Sequence, residues 1–449
     1  MRMKTIHASS SNQKIRLYGI KDINQIPQLK KISREERLTM KAVAHVLPFR
    51  VNNYVVENLI DWSRVPDDPI FRLTFPQKEM LTAENLDKVS WLLKNNVSQE
   101  HKVKVIDSIR MQLNPHPAGQ AEENIPTLNN QPVPGIQHKY PETVLVFPTA
   151  GQTCHTYCTF CFRWPQFVGM DNIVKFATRE SGIFQEYLQI HKEVTDVLIT
   201  GGDPMVMKAR CLAKYIEPLL DPKFDHIQTI RIGTKSISYW PYRYTTDEDA
   251  DDILRLFEKV TRAGKRLAIM AHVNHWQEFS TLTAQKATQR ILSTGAIIRT
   301  QGPLLNQIND SSEVWIRMWK EQVNLGCEPY YMFIPRNTGA KHYFDIPLIK
   351  AWRIFQGAIQ KVSGLDRNVR GPLMSTFSGK VIVNGVSQIN NHKVFNLSFI
   401  QARRPDWCFR PFYAKYDPEA KWFTDLISAF DGEQFFSEKQ LKNVLRENH

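Results

Sequence analysis

Between residues 143 and 334 the chain alternates short apolar runs with longer amphipathic stretches, and this alternation limits the fold more than any other feature. The runs are 143–149, 195–200, 228–233, 266–273, 296–300 and 329–334. Between them lie helical patterns such as 246–262, where Ile253, Leu254, Leu256 and Phe257 are interleaved with charge. Strand–helix alternation implies parallel strands buried on both faces. Six such units predict an α/β fold built on a partial parallel (β/α)6 barrel, whose functional residues should follow the C-terminal strand ends. The chemically distinctive residues do so: the cysteines at 154–161, Gly201–Gly202–Asp203, Thr234, His272, Asn274, Gln301 and Arg336.

Three of the six cysteines, Cys154, Cys158 and Cys161, fall within eight residues. Soft thiolates so spaced can converge on one soft metal centre. Three thiolates leave a four-ligand iron–sulfur cluster with one open iron. A structural zinc ion would need a fourth ligand, and His155 adjoins Cys154 too closely to share its metal. The Cys-x3-Cys-x2-Cys spacing, with Phe160 just before the third cysteine, resembles the radical S-adenosylmethionine (SAM) superfamily. The resemblance implies a 4Fe-4S cluster on the three cysteines, capped by SAM, which one electron cleaves to a 5′-deoxyadenosyl radical. About fifty residues on, Ile199-Thr-Gly-Gly-Asp-Pro204 ends the second run. Adjacent glycines admit a ligand close to the backbone, and Asp203 can accept hydrogen bonds from an ammonium or ribose hydroxyls. A plain turn is the alternative for this run alone; paired with the cysteines, it resembles the glycine-rich strand that meets the SAM amino group.

Composition narrows the class. The chain has 449 residues, no run of eighteen apolar residues and no apolar stretch at its N-terminus, so neither a membrane span nor a secretory signal is expected. Clustered cysteines fit a reducing, cytoplasmic setting, with Cys211, Cys327 and Cys408 read as buried free thiols. The net charge of +13 is dispersed, which suits attraction of anionic ligands better than nucleic-acid binding. Residues 1–28 read as a flexible N-terminal arm. Residues 29–142 read as a helical region and connector, with a capping box at Ser33–Glu36 leading into Leu38, Val43 and Val46, and a second helix from Thr82 through Leu92 and Leu93. The barrel is expected over 143–362. Residues 363–449 are expected to form strands and a helical tail, with Phe423–Phe430 apolar-periodic.

The ordered set of motifs goes further. Leu47-Pro-Phe-Arg50, Gln131-Pro-Val-Pro-Gly135, His138-Lys-Tyr-Pro141, the cysteines, Ile199–Pro204, Arg231-Ile-Gly-Thr234, His272-Val-Asn-His275, Gln301, Asn309-Asp310 and Pro329-Tyr-Tyr331 together resemble the lysine 2,3-aminomutase family over residues 36 to 400. The resemblance implies an isomerase that moves an amino group from Cα to Cβ, using the cluster, SAM and pyridoxal phosphate (PLP). It also implies a small amino-acid substrate and a reducing donor of the flavodoxin or ferredoxin type, and leaves homo-oligomerisation open. Residue by residue, Arg163 matches the arginine for the substrate α-carboxylate, a task that suits a guanidinium fork. His272 and Gln301 match SAM-contacting positions, joined in the cofactor set by Phe160, Gly201, Gly202, Asp203, Thr234 and Asn274. Lys139 and Tyr140 match the segment at the PLP phosphate. Lys380 is the candidate PLP lysine; such a lysine must be able to lose its proton, which burial near other cations promotes.

Some positions depart from the family pattern. Lys139 and Thr143 stand where the family has arginines, so the phosphate segment is less cationic. Arg336 stands where lysine-specific members place an aspartate for the substrate ammonium, and the second such position falls near Ser375. The C-terminal cysteine-rich zinc segment is absent, since Cys408 stands alone. Two other readings stay open at this point: a radical SAM enzyme without PLP, and an iron–sulfur protein that binds nucleic acid or a protein partner.

Overall fold

A computed structural model describes residues 14–117, 123–170, 176–179, 181–430, 432, 434–438 and 440. One eleven-stranded sheet organises it, with its strands in strict chain order. We label them β1 (Ile136–Tyr140), β2 (Thr143–Val146), β3 (Asp196–Ile199), β4 (Thr229–Thr234), β5 (Arg266–His272), β6 (Ile297–Pro303), β7 (Glu328–Phe333), β8 (Arg370–Ser375), β9 (Gly379–Ile389), β10 (His392–Ala402) and β11 (Pro411–Lys415). Strands β2 to β7 are the six expected, and each pairs in parallel with the next.

The parallel run is longer than the alternation indicates. Strand β8 also pairs in parallel with β7, and β1 adds an antiparallel edge to β2. After β8 the sheet turns antiparallel, with β9 and β10 joined at Asn390 and Asn391, both at positive φ. That is the left-handed pair a two-residue hairpin requires, and Asn tolerates it.

The expectation of two apolar faces needs correction. In β3 and β4 burial alternates strictly. Val197, Ile199, Ile230 and Ile232 are fully buried, whereas Asp196 and Arg231 form an ion pair at 2.7 Å on the alternate face. A partial barrel leaves its concave face open to a ligand, so a polar lining there is not sealed in a core.

The N-terminal region forms a second core over the C-terminal strand ends. Ser33 and Glu36 close the expected capping box at the start of Arg34–Val46. Val43 and Val46 are buried there, while Leu38 is exposed. Thr82 caps Ala83–Lys94, in which Leu92 is buried and Leu93 exposed. This core includes Trp164, Tyr239, Trp240, Leu305, Tyr343 and Phe344 from the loops that follow the strands. It thereby covers the end of the sheet where the motifs lie.

Two further expectations are corrected. Of the arm expected over 1–28, residues 1–13 lie outside the described residues. From residue 14 the chain packs: Leu17–Tyr18 pairs with Val51–Asn52, and Ile23 and Ile26 are fully buried. Phe423–Phe430 is not helical; it holds one 3-10 turn and a bridge at Ser428. Its aromatic spacing serves packing instead, with Phe423 against Phe412 and Phe435. Among the described residues no helix is long and apolar enough to cross a membrane.

Candidate active site

The loop after β2 carries the three cysteines, and segments of the N-terminal region hold it in shape. The Tyr157 N–H donates to the Arg50 carbonyl (2.8 Å) and the Thr159 N–H to the Leu73 carbonyl (3.0 Å). The Asn52 amide donates to the His155 carbonyl (3.2 Å), and Arg50 donates to the Thr153 hydroxyl. Arg50 and Asn52 are structural partners of this loop that the sequence reading did not single out; only the Leu47–Arg50 motif hinted at them.

Cys154, Cys158 and Cys161 are free, half-buried and line one cavity of ≈ 340 Å³. Burial pushes the Cys158 thiol up to about 12 and the Cys161 thiol up to about 11. Burial raises Cys154 well above its ordinary value, reinforced by Asp203 and by the other two sulfurs. Three buried thiols that repel one another as thiolates ionise readily only against a bound cation. Not all three sulfurs lie within 4.8 Å of one another: among the described residues only His138, His191 and Glu193 bring three such ligand atoms that close.

Gly201, Gly202 and Asp203 lock against the same loop. A Cβ on Gly202 would sit 2.4 Å from the Thr153 carbonyl oxygen and 2.6 Å from its nitrogen. The Asp203 N–H donates to that same carbonyl at 2.7 Å. Gly202→Ala is therefore expected to displace the residue before Cys154 and lower iron incorporation at least ~10-fold, at the low end of what altering a ligand's support does. Iron content after anaerobic reconstitution measures it. A Gly202→Ala protein with full iron and unchanged SAM cleavage would contradict the steric reading.

Asp203 lines the cavity, but its carboxylate is largely taken up within the protein. It accepts from the Thr234 hydroxyl (2.7 Å), the Lys235 N–H (2.9 Å) and the Met205 N–H (2.9 Å). Of about four acceptor positions on a carboxylate, roughly one stays open to a ligand. Burial raises its pKa to about 6 against these bonds. Thr234 is turned to Asp203 in the same way.

His272 stacks on Phe160 at 5.5 Å. Its Nδ1 is buried without a hydrogen-bond partner, on a wall that includes Gln301. A buried nitrogen without a partner costs about 1–3 kcal/mol. Asn274, expected with this group, stands behind it: it is fully buried and its Oδ1 accepts from Lys235 Nζ at 3.0 Å. Lys235 also pairs with the buried Glu278. No local sequence pattern marks this pair, which braces the cavity wall.

The same cavity carries two guanidinium groups. Arg163 lies over the Phe147 ring (4.2 Å) and donates to Gln166 (3.2 Å). Arg336 lies over Phe162 (4.5 Å) and donates to the Ser375 hydroxyl (3.2 Å). Both line the cavity, and burial brings each guanidinium down to about 10, with Arg336 adding to the effect on Arg163.

Lys139, Tyr140 and Lys380 are not part of that lining; they lie beyond Arg336. Strand pairing sets Lys380 opposite Ser375 on one side and Gln401 on the other. Its Nζ donates to Gln401 and stands 4.5 Å from the Tyr140 ring centre. Burial, then Arg231 and Arg336, bring the Lys380 amine down to about 7, with Asp196 opposing. Lys139 Nζ stands 5.2 Å from the Tyr140 ring centre and donates to the Thr376 carbonyl. The structure thus brings the expected residues into two adjoining groups that meet at Arg336.

Comparison with known proteins gives relatives of one kind. A protein of Aquifex aeolicus that carries the provisional name L-lysine 2,3-aminomutase is 31% identical over 407 residues, 90% of this chain and 95% of that one. The L-lysine 2,3-aminomutase of Fusobacterium nucleatum is 30% identical over 236 residues, 52% of each chain. The glutamate 2,3-aminomutase of Clostridioides difficile is 27% identical over 209 residues, 46% of each chain. Among solved structures, Streptococcus suis SuiB matches at 13% identity with a TM-score of 0.36, over 67% of this chain and 63% of that one. No family model matches the chain.

Proposed function

The chain belongs to the lysine 2,3-aminomutase family, and from that premise we propose that it is a radical SAM, PLP-dependent 2,3-aminomutase whose substrate carries a carboxylate or a neutral group on its side chain. The carrying observation is the shared cavity. Three thiols, a glycine-bounded loop and two arginines line it together, with Arg163 close enough to act on Cys154 and Cys161. A lysine whose amine is near neutrality lies just beyond. When bound, the cluster with SAM would supply a hydrogen-abstracting radical, and PLP would supply the conjugated group that carries the migrating nitrogen.

In this reading Cys154, Cys158 and Cys161 hold the cluster. Gly201 and Gly202 let SAM approach the backbone, and His272 and Gln301 meet its polar atoms. Asp203, Thr234 and Asn274 position that wall from behind, through the hydrogen bonds given above. Arg163 binds the substrate α-carboxylate as a charge-assisted fork. Arg336 faces the side chain. The N-terminal core over the strand ends excludes water, which keeps a radical from being quenched. Lys380 anchors PLP.

The Lys380 amine titrates near pH 7, whereas an ordinary lysine does so at about 10.4. It is neutral and nucleophilic above about pH 7, so capture of pyridoxal phosphate should rise through a midpoint near 7. Borohydride reduction should then fix a pyridoxyl group on the peptide that contains Lys380. A midpoint above about 9, or label on a different lysine, would remove Lys380 from this role. SAM cleavage with no label anywhere would instead favour a radical SAM enzyme of this family without PLP.

A further inference from the structure

Strand β1 is an edge of the large sheet, and it carries a second cluster of metal-ligating side chains. Gln137 lines the cavity. His138, next along the strand, turns instead to the helix Ser181–Ile190 and the residues after it. Its Nδ1 lies 2.6 Å from the Tyr187 hydroxyl and its Nε2 3.1 Å from the Pro141 carbonyl. Tyr187 stacks on His191 with ring centres 4.0 Å apart, and the His138 and His191 rings meet edge-on at 5.6 Å. His191 Nδ1 lies 2.7 Å from a Glu193 carboxylate oxygen. One ligand atom from each of His138, His191 and Glu193 lies within 4.8 Å of the other two.

The hydrogen bonds prepare both rings for a cation. A carbonyl only accepts, so His138 carries its proton on Nε2 and keeps a lone pair on Nδ1. A carboxylate likewise only accepts, so His191 donates from Nδ1 to Glu193. Metal-binding histidines hold their second N–H in this way, on a carbonyl or a carboxylate. Ligand atoms ~2.0–2.2 Å from one tetrahedral zinc ion lie ~3.3–3.6 Å apart, so the trio closes on an ion by at most ~1.5 Å per pair. Glu193 is exposed and both histidines are half-buried, so the trio is reachable from solvent. Lys192, the cation between two of its members, is engaged elsewhere, its Nζ donating to the Lys223 carbonyl at 3.2 Å. Two imidazoles and a carboxylate suit a zinc-class ion better than hard magnesium.

We propose that His138, His191 and Glu193 form a site for a divalent metal ion of the zinc class, which clasps edge strand β1 to the helix behind it. None of the three lines the cavity, so this inference is independent of the cofactor readings. The clasp has a place to act: the β1–β2 pairing is irregular between His138 and Tyr140, where side chains rather than ladder bonds hold the strand. Lys139 lies at that irregularity and reaches the other way, to the Thr376 carbonyl.

The test titrates zinc sulfate, by anaerobic calorimetry, into protein whose iron–sulfur cluster has already been reconstituted, so that the cysteines are occupied. One equivalent is expected to bind with a Kd of about 1 μM, weaker than a closed four-ligand structural site, and millimolar magnesium should not displace it. His191→Gln and Glu193→Gln should each weaken zinc at least ~10-fold, and the double variant His138→Gln/His191→Gln should abolish binding. Glu193 is exposed, so Glu193→Gln keeps the test open if the histidine variants do not fold. His226→Gln, which alters a histidine bonded to the Leu188 carbonyl of the same helix, should stay within about twofold of wild type. Zinc should also slow amide exchange over residues 136–140. No zinc binding by wild type, equal binding by the Glu193 and histidine variants, or zinc uptake matched by loss of iron overturns the site. Zinc bound with unaltered exchange over 136–140 overturns the clasp.

Discussion

Cys158→Ala is expected to abolish the cluster and SAM cleavage together. The three cysteines share one cavity wall, and each thiolate holds its own iron in a cluster of this type. Loss of one ligand therefore opens a second iron rather than weakening a spare contact. The fall in 5′-deoxyadenosine formation should exceed about 100-fold, more than the 10–100-fold that follows from altering a group that only supports a ligand. The contrasting variant is Cys327→Ala. That thiol is buried in the core beneath β7, far in sequence from the loop, and its loss should cost on the order of 1 kcal/mol of stability with iron unchanged. Iron and sulfide content, electron paramagnetic resonance of the reduced protein and 5′-deoxyadenosine yield measure both variants. Wild-type iron in Cys158→Ala would dismiss the cysteine assignment.

Arg336→Asp is expected to change which amino acid is turned over. In wild type, Arg163 and Arg336 line the same cavity. A substrate ammonium directed at Arg336 from ~4–6 Å would be disfavoured by ~3–4 kcal/mol at an effective dielectric of ~20. Each ~1.4 kcal/mol is tenfold, so a third of that repulsion already biases selection about tenfold. Among the described residues, Asp345 pairs with Lys421 at 3.3 Å, and Glu328, at the N-terminal end of β7, pairs with Arg299 at 3.0 Å, so neither is free to receive an ammonium. Glutamate or a neutral amino acid should therefore exceed lysine in kcat/KM by at least about tenfold. Arg336→Asp should shift the ratio toward lysine by about 100-fold, because it removes a repulsion and adds an attraction. Arg336 also donates to Ser375, so thermal melting of the variant separates lost fold from altered selection. A wild-type preference for lysine, or an unmoved ratio, would show that Arg336 does not read the side chain.

The parallel strands were legible because their pattern is local. Six apolar runs separated by amphipathic stretches match β2 to β7 within a few residues. The residues past their ends come together because parallel strands put all C-terminal ends on one edge. Strand β8 was not seen as parallel, since Gly371 and Pro372 interrupt its pattern and read as turn residues. The packing of residues 14–28 was hidden for a different reason: Ile23 and Ile26 are buried by Val43, Val55 and other residues of a distant core that no local period reveals. Phe423 to Phe430 has helical spacing, but Phe423 packs into an aromatic cluster with Phe412 and Phe435, and Phe430 packs against Tyr413. Tertiary packing overrode propensity there.

In the site, residue types with strong chemistry could be picked out, and residues that hold them could not. The cysteines, Asp203, His272 and Lys380 stand out by type and by position after a strand. Arg50, Asn52, Lys235 and Glu278 act through contacts across more than forty residues of sequence, such as Asn52 with His155 and Lys235 with Glu278.

The most direct test follows hydrogen from substrate to SAM. The anaerobically reconstituted protein is given SAM, PLP, a strong reductant and glutamate deuterated at Cβ, with alanine and lysine deuterated there as comparisons. The expected result is deuterium in 5′-deoxyadenosine and a product with its amino group on Cβ, strongest with a substrate other than lysine and lost on omission of PLP. Formation of 5′-deoxyadenosine without deuterium from any of these amino acids, or no cleavage of SAM by protein with full iron, would contradict it.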